Sequence, residues 1–393
     1  MRKISMILGI FFIFNCITMQ TVDAEAELEY YPDQITSEAA ILMDANSGQV
    51  LYEKSASVPL YPASLTKIAT AIYTIEKGQL DDIVTVSQRA RDADGTRVYL
   101  EPGEKVTLEK LIQGLLINSG NDAGVAIAEH LDGSVERFAE NINDFLENTI
   151  GVKDTHFENP HGLYDPNHIT TAKDLADISR YAMINDVFRK IIATKELEWD
   201  GESWVTTIFH HHRLMREIPY DGITGGKTGF VDESGHTLMT TAERDEISLI
   251  VITLNSPIQL EAYNDTVALL DYGFENFETT SIEEGTTFKN TEGETFITAD
   301  TLFYTQIVGD VPILEVTEDG HLSIDQSDDM LNISLPLKKE QVEEMPVLEK
   351  QTSEEQVITD SKTKTVSPLY WIVPLMILLG IAIFIFRRKQ LYK

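Results

Sequence analysis

In "YPASLTKIATAIYTIEKG", residues Tyr61 to Gly78, a serine and a lysine stand three positions apart at the mouth of a helical pattern. Pro62 and Ala63 lead in, and Ile68, Ala69, Ala71, Ile72 and Ile75 keep up an apolar face. At that spacing Ser64 and Lys67 lie on one face of a helix. A surface lysine needs no such neighbour. A lysine that takes a proton from a nucleophilic hydroxyl does. The pair alone says little, because Ser361 and Lys364 repeat it in a polar stretch where no chemistry is expected.

Two later stretches add partners. In "LLINSGNDAGVAIAEH", Ser119-Gly120-Asn121 breaks two apolar segments, so a hydroxyl and an amide two residues apart can point the same way from a loop. An ordinary helix-to-helix turn reads identically. In "GITGGKTGFVDESGHTL", Lys227-Thr228-Gly229 falls where a strand should begin, and small residues let backbone approach a ligand closely. A phosphate loop is the rival reading there. It fails because Asp221 stands where glycine is required and because a strand-like run follows, not a helix.

These residues need a frame. "AAILMDANSGQVLYEK" reads as two strands around a turn at Asn46-Ser47-Gly48. "VTLEKLIQGLLI", "SVERFAENINDFLENTIG" and "TTAKDLADISRYAMI" read as helices, the last capped by Thr170 or Thr171. "SGHTLMTTAERDEISLIVITLN" reads as two antiparallel strands, and "PIQLEAYNDTVALLDYGFENF" closes with a helix. The pattern predicts an α/β (α+β) architecture: an antiparallel sheet closed by both chain ends and flanked by helices. From Glu275 to Met330 there are 14 acidic residues and one basic, Lys289, in short β-rich runs, which predicts a small β-rich domain.

The 393 residues carry 64 acidic against 31 basic side chains, a formal charge of −33, which excludes nucleic acid as a partner. Cys16 is the one cysteine and lies in an N-terminal apolar run, so disulfides and cysteine metal sites are excluded from the mature body. Arg2, Lys3, the apolar run Ile4 to Ile17 and Val22-Asp23-Ala24 predict a signal peptide over 1–24. Leu369 to Phe386 are uncharged over 18 residues, about 27 Å of helix, with Tyr370 and Trp371 at one end and Arg387, Arg388 and Lys389 after the other. The expected layout is a main domain over 25–277, a β-rich domain over 278–338 and an acidic spacer over 339–367. A transmembrane helix over 368–387 and a cytoplasmic tail over 388–393 follow. The positive-inside rule then puts the body on the extracytoplasmic side of a cell membrane.

Ser-x-x-Lys, Ser-x-Asn and Lys-Thr-Gly in this order resemble the signature of the penicillin-recognising serine acyltransferases. "DANSGQVLYEKSASVPLYPASLTKIATA", "LEPGEKVTLEKLIQGLLINSGNDAGVAIAEHLDGS", "NPHGLYDPNHITTAKDLADISRYAM" and "GGKTGFVDESGHTL" resemble stretches of the low-molecular-mass penicillin-binding proteins that are D-alanyl-D-alanine carboxypeptidases. The resemblance covers roughly Ser37 to Phe277. It implies the serine β-lactamase/DD-peptidase-like fold and release of the terminal D-alanine from peptidoglycan stem pentapeptides, with β-lactams as inhibitors. It implies Ser64 as nucleophile, Lys67 as general base and Ser119 as proton relay. Asn121 would bind the substrate backbone, Lys227, Thr228 and Gly229 its carboxylate end, and the N–H groups of Ser64 and Phe230 the oxyanion. No metal or organic cofactor is implied.

Two departures stand out. The family commonly carries an arginine before the closing helix for the substrate carboxylate, and "LNSPIQLEAYNDTVALLDYG" has none, leaving Arg213 and Thr228 as candidates. "FHHHRLM" puts His210, His211 and His212 where asparagine or arginine is expected. His210 and His212 would share a strand face, but no third metal ligand is evident, so a surface or groove lining is the expectation. The alternatives that share the fold are a β-lactamase, with Glu158 in about the place of a water-positioning glutamate, a DD-endopeptidase or transpeptidase, and an inactive β-lactam-sensing or wall-binding protein.

Overall fold

The computed structural model describes residue 32 and residues 34–340, except residue 246. Five antiparallel strands form its main sheet: β1 (Ala39–Asp44), β2 (Val50–Lys54), β3 (Ile223–Val231), β4 (Gly235–Arg244) and β5 (Ile247–Ser256), in the order β2-β1-β5-β4-β3. Strands from both ends of the sequence therefore share one sheet, as the pattern predicts. Alternation then sorts the side chains. Ala39, Ile41, Met43, Ile250 and Ile252 join a core with the helices on one face, while Ala40, Leu42, Leu249 and Val251 join Leu269, Leu270 and Tyr272 on the other.

The first face is covered by α1 (Thr66–Lys77), α2 (Leu108–Ile117), α3 (Asn121–Asp132), α4 (Val135–Phe145) and α5 (Ala172–Ile184); α6 (Gln259–Asn276) covers the second. Their starts follow side-chain capping. Thr107 accepts from Lys110 N, Ser134 from Arg137 N, and Thr171 from Asp174 N, so Thr171 is the cap of α5. The amphipathic run after Ser134 does not stay α-helical throughout. It loosens into a π turn over Leu146–Ile150 and stops at Gly151, whose φ of 92° suits glycine.

Beyond α6 come short paired strands. Phe277–Ile282 pairs with Leu302–Ile307, Thr287–Lys289 with Thr295–Ile297, and Ile313–Val316 with His321–Asp325 and then Ile333–Pro336. Ile282, Tyr304, Leu322 and Ile324 give this region its own small core. Its order extends past the expected limit at 338: Lys339 pairs with Phe296, and Glu340 N donates to Thr295 O. The remainder of the expected spacer, the signal peptide, the membrane helix and the tail lie outside the described residues. Among the described residues no helix is long and apolar enough to cross a membrane.

Candidate active site

Ser64 lies in a short 3-10 turn, Ala63–Leu65, that runs directly into α1, a tighter start than a plain α-helix. Ala63 before it has φ of +47°, a conformation that costs a residue with a Cβ. Several groups hold that turn. Thr66 Oγ1 donates to Ala63 O at 2.8 Å and sits 2.8 Å from His168 Nε2. His168 Nδ1 accepts from Glu158 N, so Nε2 carries the ring proton and donates to Thr66. From the sheet, Thr237 Oγ1 donates to Pro62 O at 3.0 Å.

One turn along α1, Lys67 is wholly buried and donates to Ser64 Oγ at 2.8 Å and to His161 O at 2.7 Å. Its amine is held well below its ordinary pKa, first by burial and next by the Lys227 charge, with Asp122 pulling the other way. His161 is pushed down by the same burial and by Lys67. The carbonyl of His161 arrives because the loop turns tightly. Asn159 Oδ1 accepts from His161 N and Gly162 N, and Gly162 has φ of +85°. A Cβ at Gly162 would lie 1.8 Å from Ala63 O, so only glycine fits against the serine turn.

Ser119 lies in the break between α2 and α3 with φ of +60°, a strained conformation for a residue with a Cβ, and its side chain is buried. Lys227 Nζ donates to it at 3.0 Å and to Thr228 O at 2.9 Å. Burial lowers the Lys227 pKa to about 7. Asn121 opens α3, and its Nδ2 donates to Asp94 O, which leaves its amide oxygen as the free acceptor. Behind it the buried Asp122 carboxylate accepts from Val98 N, Leu100 N and Ala123 N and fixes the wall of the groove.

Lys227-Thr228-Gly229 lies in the middle of β3, not at its start, because the ladder to β4 begins at Ile223. β3 is an edge strand of this sheet, and its free edge runs beside the Ser64 turn. A Cβ at Gly229 would come 2.8 Å from Ser64 N and 2.4 Å from Thr237 Oγ1. Glycine there keeps the Ser64 N–H reachable. Phe230 follows, exposed, opposite His236.

Of the residues predicted from the sequence, Ser64 with Lys67, Ser119 with Lys227, and Gly229 with the Ser64 turn are thus brought into contact. The chemistry open to the groove is attack by Ser64 Oγ, with an uncharged amine to take its proton. Of the two places expected for the histidines, surface or groove lining, the surface is ruled out for His210 and His212, which are buried, and His212 Nε2 sits 2.7 Å from Thr240 Oγ1. The missing Cβ of Gly226 makes room for the His212 ring, since one would fall 2.3 Å from it. His212 is held near 3 by burial and then by the Lys227 charge. His211 is pushed down to about 4, first by desolvation and then by the charges of Lys227, Arg216 and Lys67. Among the described residues no cluster of three or more His, Cys, Asp or Glu is placed to hold a metal. Arg213 is engaged by Glu217 at 2.9 Å, and Glu158 sits 3.2 Å from His156.

Residues 24–257 match the D-alanyl-D-alanine carboxypeptidase family. The chain belongs to that family. Membership makes it a serine peptidase of the D-Ala-D-Ala carboxypeptidase class on the α+β penicillin-binding fold. It is 31% identical over 252 residues to the D-alanyl-D-alanine carboxypeptidase DacF of Bacillus subtilis, covering 62% of this chain and 63% of that one. It is 34% identical over 282 residues to DacC of Escherichia coli, covering 68% and 67%. The solved penicillin binding protein 5 of Haemophilus influenzae superposes with a TM-score of 0.69 at 26% identity, covering 79% of this chain and 98% of that chain.

Proposed function

We propose that this carboxypeptidase removes the terminal D-alanine of peptidoglycan stem pentapeptides through an acyl-enzyme on Ser64, and that penicillins acylate the same oxygen. The observation that carries this is the buried Lys67 amine, 2.8 Å from Ser64 Oγ and held below its ordinary pKa by burial and by Lys227. A lysine at its usual pKa of about 10.4 would be charged and useless as a base.

Lys67 takes the Ser64 proton as Oγ attacks the carbonyl carbon between the two D-alanines. The tetrahedral oxygen is received by the N–H groups of Ser64 and Phe230, each such donor contributing about 2.7–4 kcal/mol to the transition state. Ser119, bonded to Lys227, passes a proton to the departing amine, the C–N bond breaks and D-alanine leaves. Water then attacks the ester and restores Ser64. Asn121 accepts from a substrate N–H, and Thr228 meets the carboxylate end.

The sequence supports export by the segment 1–24 and anchoring by the helix 368–387, with the catalytic body outside the membrane. Incubation of the purified protein with an L-Ala-D-Glu-linked pentapeptide ending in D-Ala-D-Ala tests the reaction. Stoichiometric tetrapeptide and free D-alanine are expected. An intact pentapeptide, with an active-site serine that still binds penicillin, would contradict it.

A further inference from the structure

The substrate brings a carboxylate one residue beyond the bond that is cut, and the groove must recognise it. A peptide laid antiparallel on the free edge of β3, with its scissile carbonyl at the Phe230 N–H, carries its last residue past Gly229 to Thr228. The cations already placed are committed elsewhere. Lys67 serves Ser64, Lys227 is bonded to Ser119 and to Thr228 O, and Arg213 is bonded to Glu217.

Thr228 and Gly229 of β3, His236 of β4, and Gln259, Ala262 and Tyr263 of α6 line a narrow crevice there of only about 10 Å³, so a carboxylate would meet Thr228 and His236 at its mouth. Thr228 is opposite Leu238 and Phe230 is opposite His236, so Thr228 and His236 are diagonal neighbours on one face of the sheet. The His236 ring is half-buried and packs at a tilt of 35° against Phe230 with centroids 4.7 Å apart, which places it beside the oxyanion donor's residue. Tyr263 cannot turn into the cavity freely, because its hydroxyl accepts from Arg213 N at 3.0 Å.

We propose that His236, beside Thr228, is the residue that receives the terminal carboxylate and so sets the preference for a free C-terminus. This rests on the carboxypeptidase reading above. Partial burial keeps the free imidazole below its ordinary pKa, so the empty groove offers a neutral ring N–H. An arriving carboxylate favours the charged form of the ring. The covalent chemistry is left to Ser64 and Lys67; His236 acts on binding.

The test is steady-state kinetics of His236→Ala, His236→Gln and His236→Arg on a peptide ending in D-Ala-D-Ala and on the same peptide as its C-terminal amide. A hydrogen bond to a charged group predicts a KM for the acid raised roughly tenfold or more in His236→Ala, with kcat kept. The amide should be unaffected, so the preference for the acid collapses. Arginine should restore it, and glutamine, a neutral donor, in part. An unchanged KM for the acid, or an equal loss on acid and amide, overturns the proposal. If the alanine variant does not fold, judged by its melting and by penicillin labelling, the glutamine and arginine variants decide by the same ratio. A wild-type protein that releases no D-alanine sinks the carboxypeptidase reading instead, which separates the two failures.

Discussion

Two buried polar networks in this protein use burial in opposite ways. At the junction of β1 with the small β region, Asp44 accepts from Asn46 N, Thr279 Oγ1 and Thr305 Oγ1. Thr305 N donates to Gln49 Oε1, and Gln49 Nε2 donates to Leu331 O. Every strong acceptor there meets a donor, so the network ties strands together and does nothing else. In the groove, two lysines are buried with hydroxyl and carbonyl partners and, among the described residues, no carboxylate directly on either amine. Desolvation outweighs the opposing Asp122 charge near Lys67, and the amines give up their protons more easily. A satisfied network stabilises; an unsatisfied one is reactive.

The largest effect expected from breaking that contrast is in the groove. Lys67→Ala should slow penicillin acylation by about 10²–10⁴-fold, the usual range for losing a general base, with the fold kept. Stopped-flow labelling measures it, and acylation within a few-fold of wild type would rule Lys67 out as the base. Next comes Lys227→Gln. Lys67 works as the free amine, so acylation rises as pH climbs through its lowered pKa. Removing the Lys227 charge removes one cause of that lowering, so the rising limb of the pH profile should move to higher pH. A limb that stays put or moves to lower pH would show that the two amines are not coupled. The smallest effect belongs to the other network. Asp44→Ala takes the acceptor from the Thr279 and Thr305 hydroxyls, leaving Thr305 only Ser47 Oγ, and should cost about 1–3 kcal/mol of stability by chemical denaturation while kcat stays unchanged. A fall in kcat without a fall in stability would mean that the junction couples to the groove.

The sequence reveals these regions unequally. Ser64 and Lys67 are legible because one helical turn places them together, and the strand pattern around Glu243-Arg244-Asp245 is legible because alternation is local. Ser119 and Lys227 are 108 residues apart, and only the motif order joins them before the fold does. The His161 carbonyl at Lys67 was not anticipated, since a backbone acceptor has no side-chain signature. The turn residues Asn159, Pro160 and Gly162 were its only trace. The burial of His212 is not legible in the sequence, because it depends on the missing side chain of Gly226 and on Tyr263 of α6, which are remote from it along the chain. Asp44 looked like any turn-flanking aspartate until Thr279 and Thr305, more than 230 residues on, met it.

The central claim is that Ser64 is the oxygen an uncharged Lys67 activates. Intact-mass analysis after penicillin, followed by peptide mapping, tests it most directly in wild type and Ser64→Ala. One adduct per chain, on the peptide bearing Ser64 and missing from the folded alanine variant, is the predicted result. An adduct on any other peptide, or one that persists in Ser64→Ala, would contradict it.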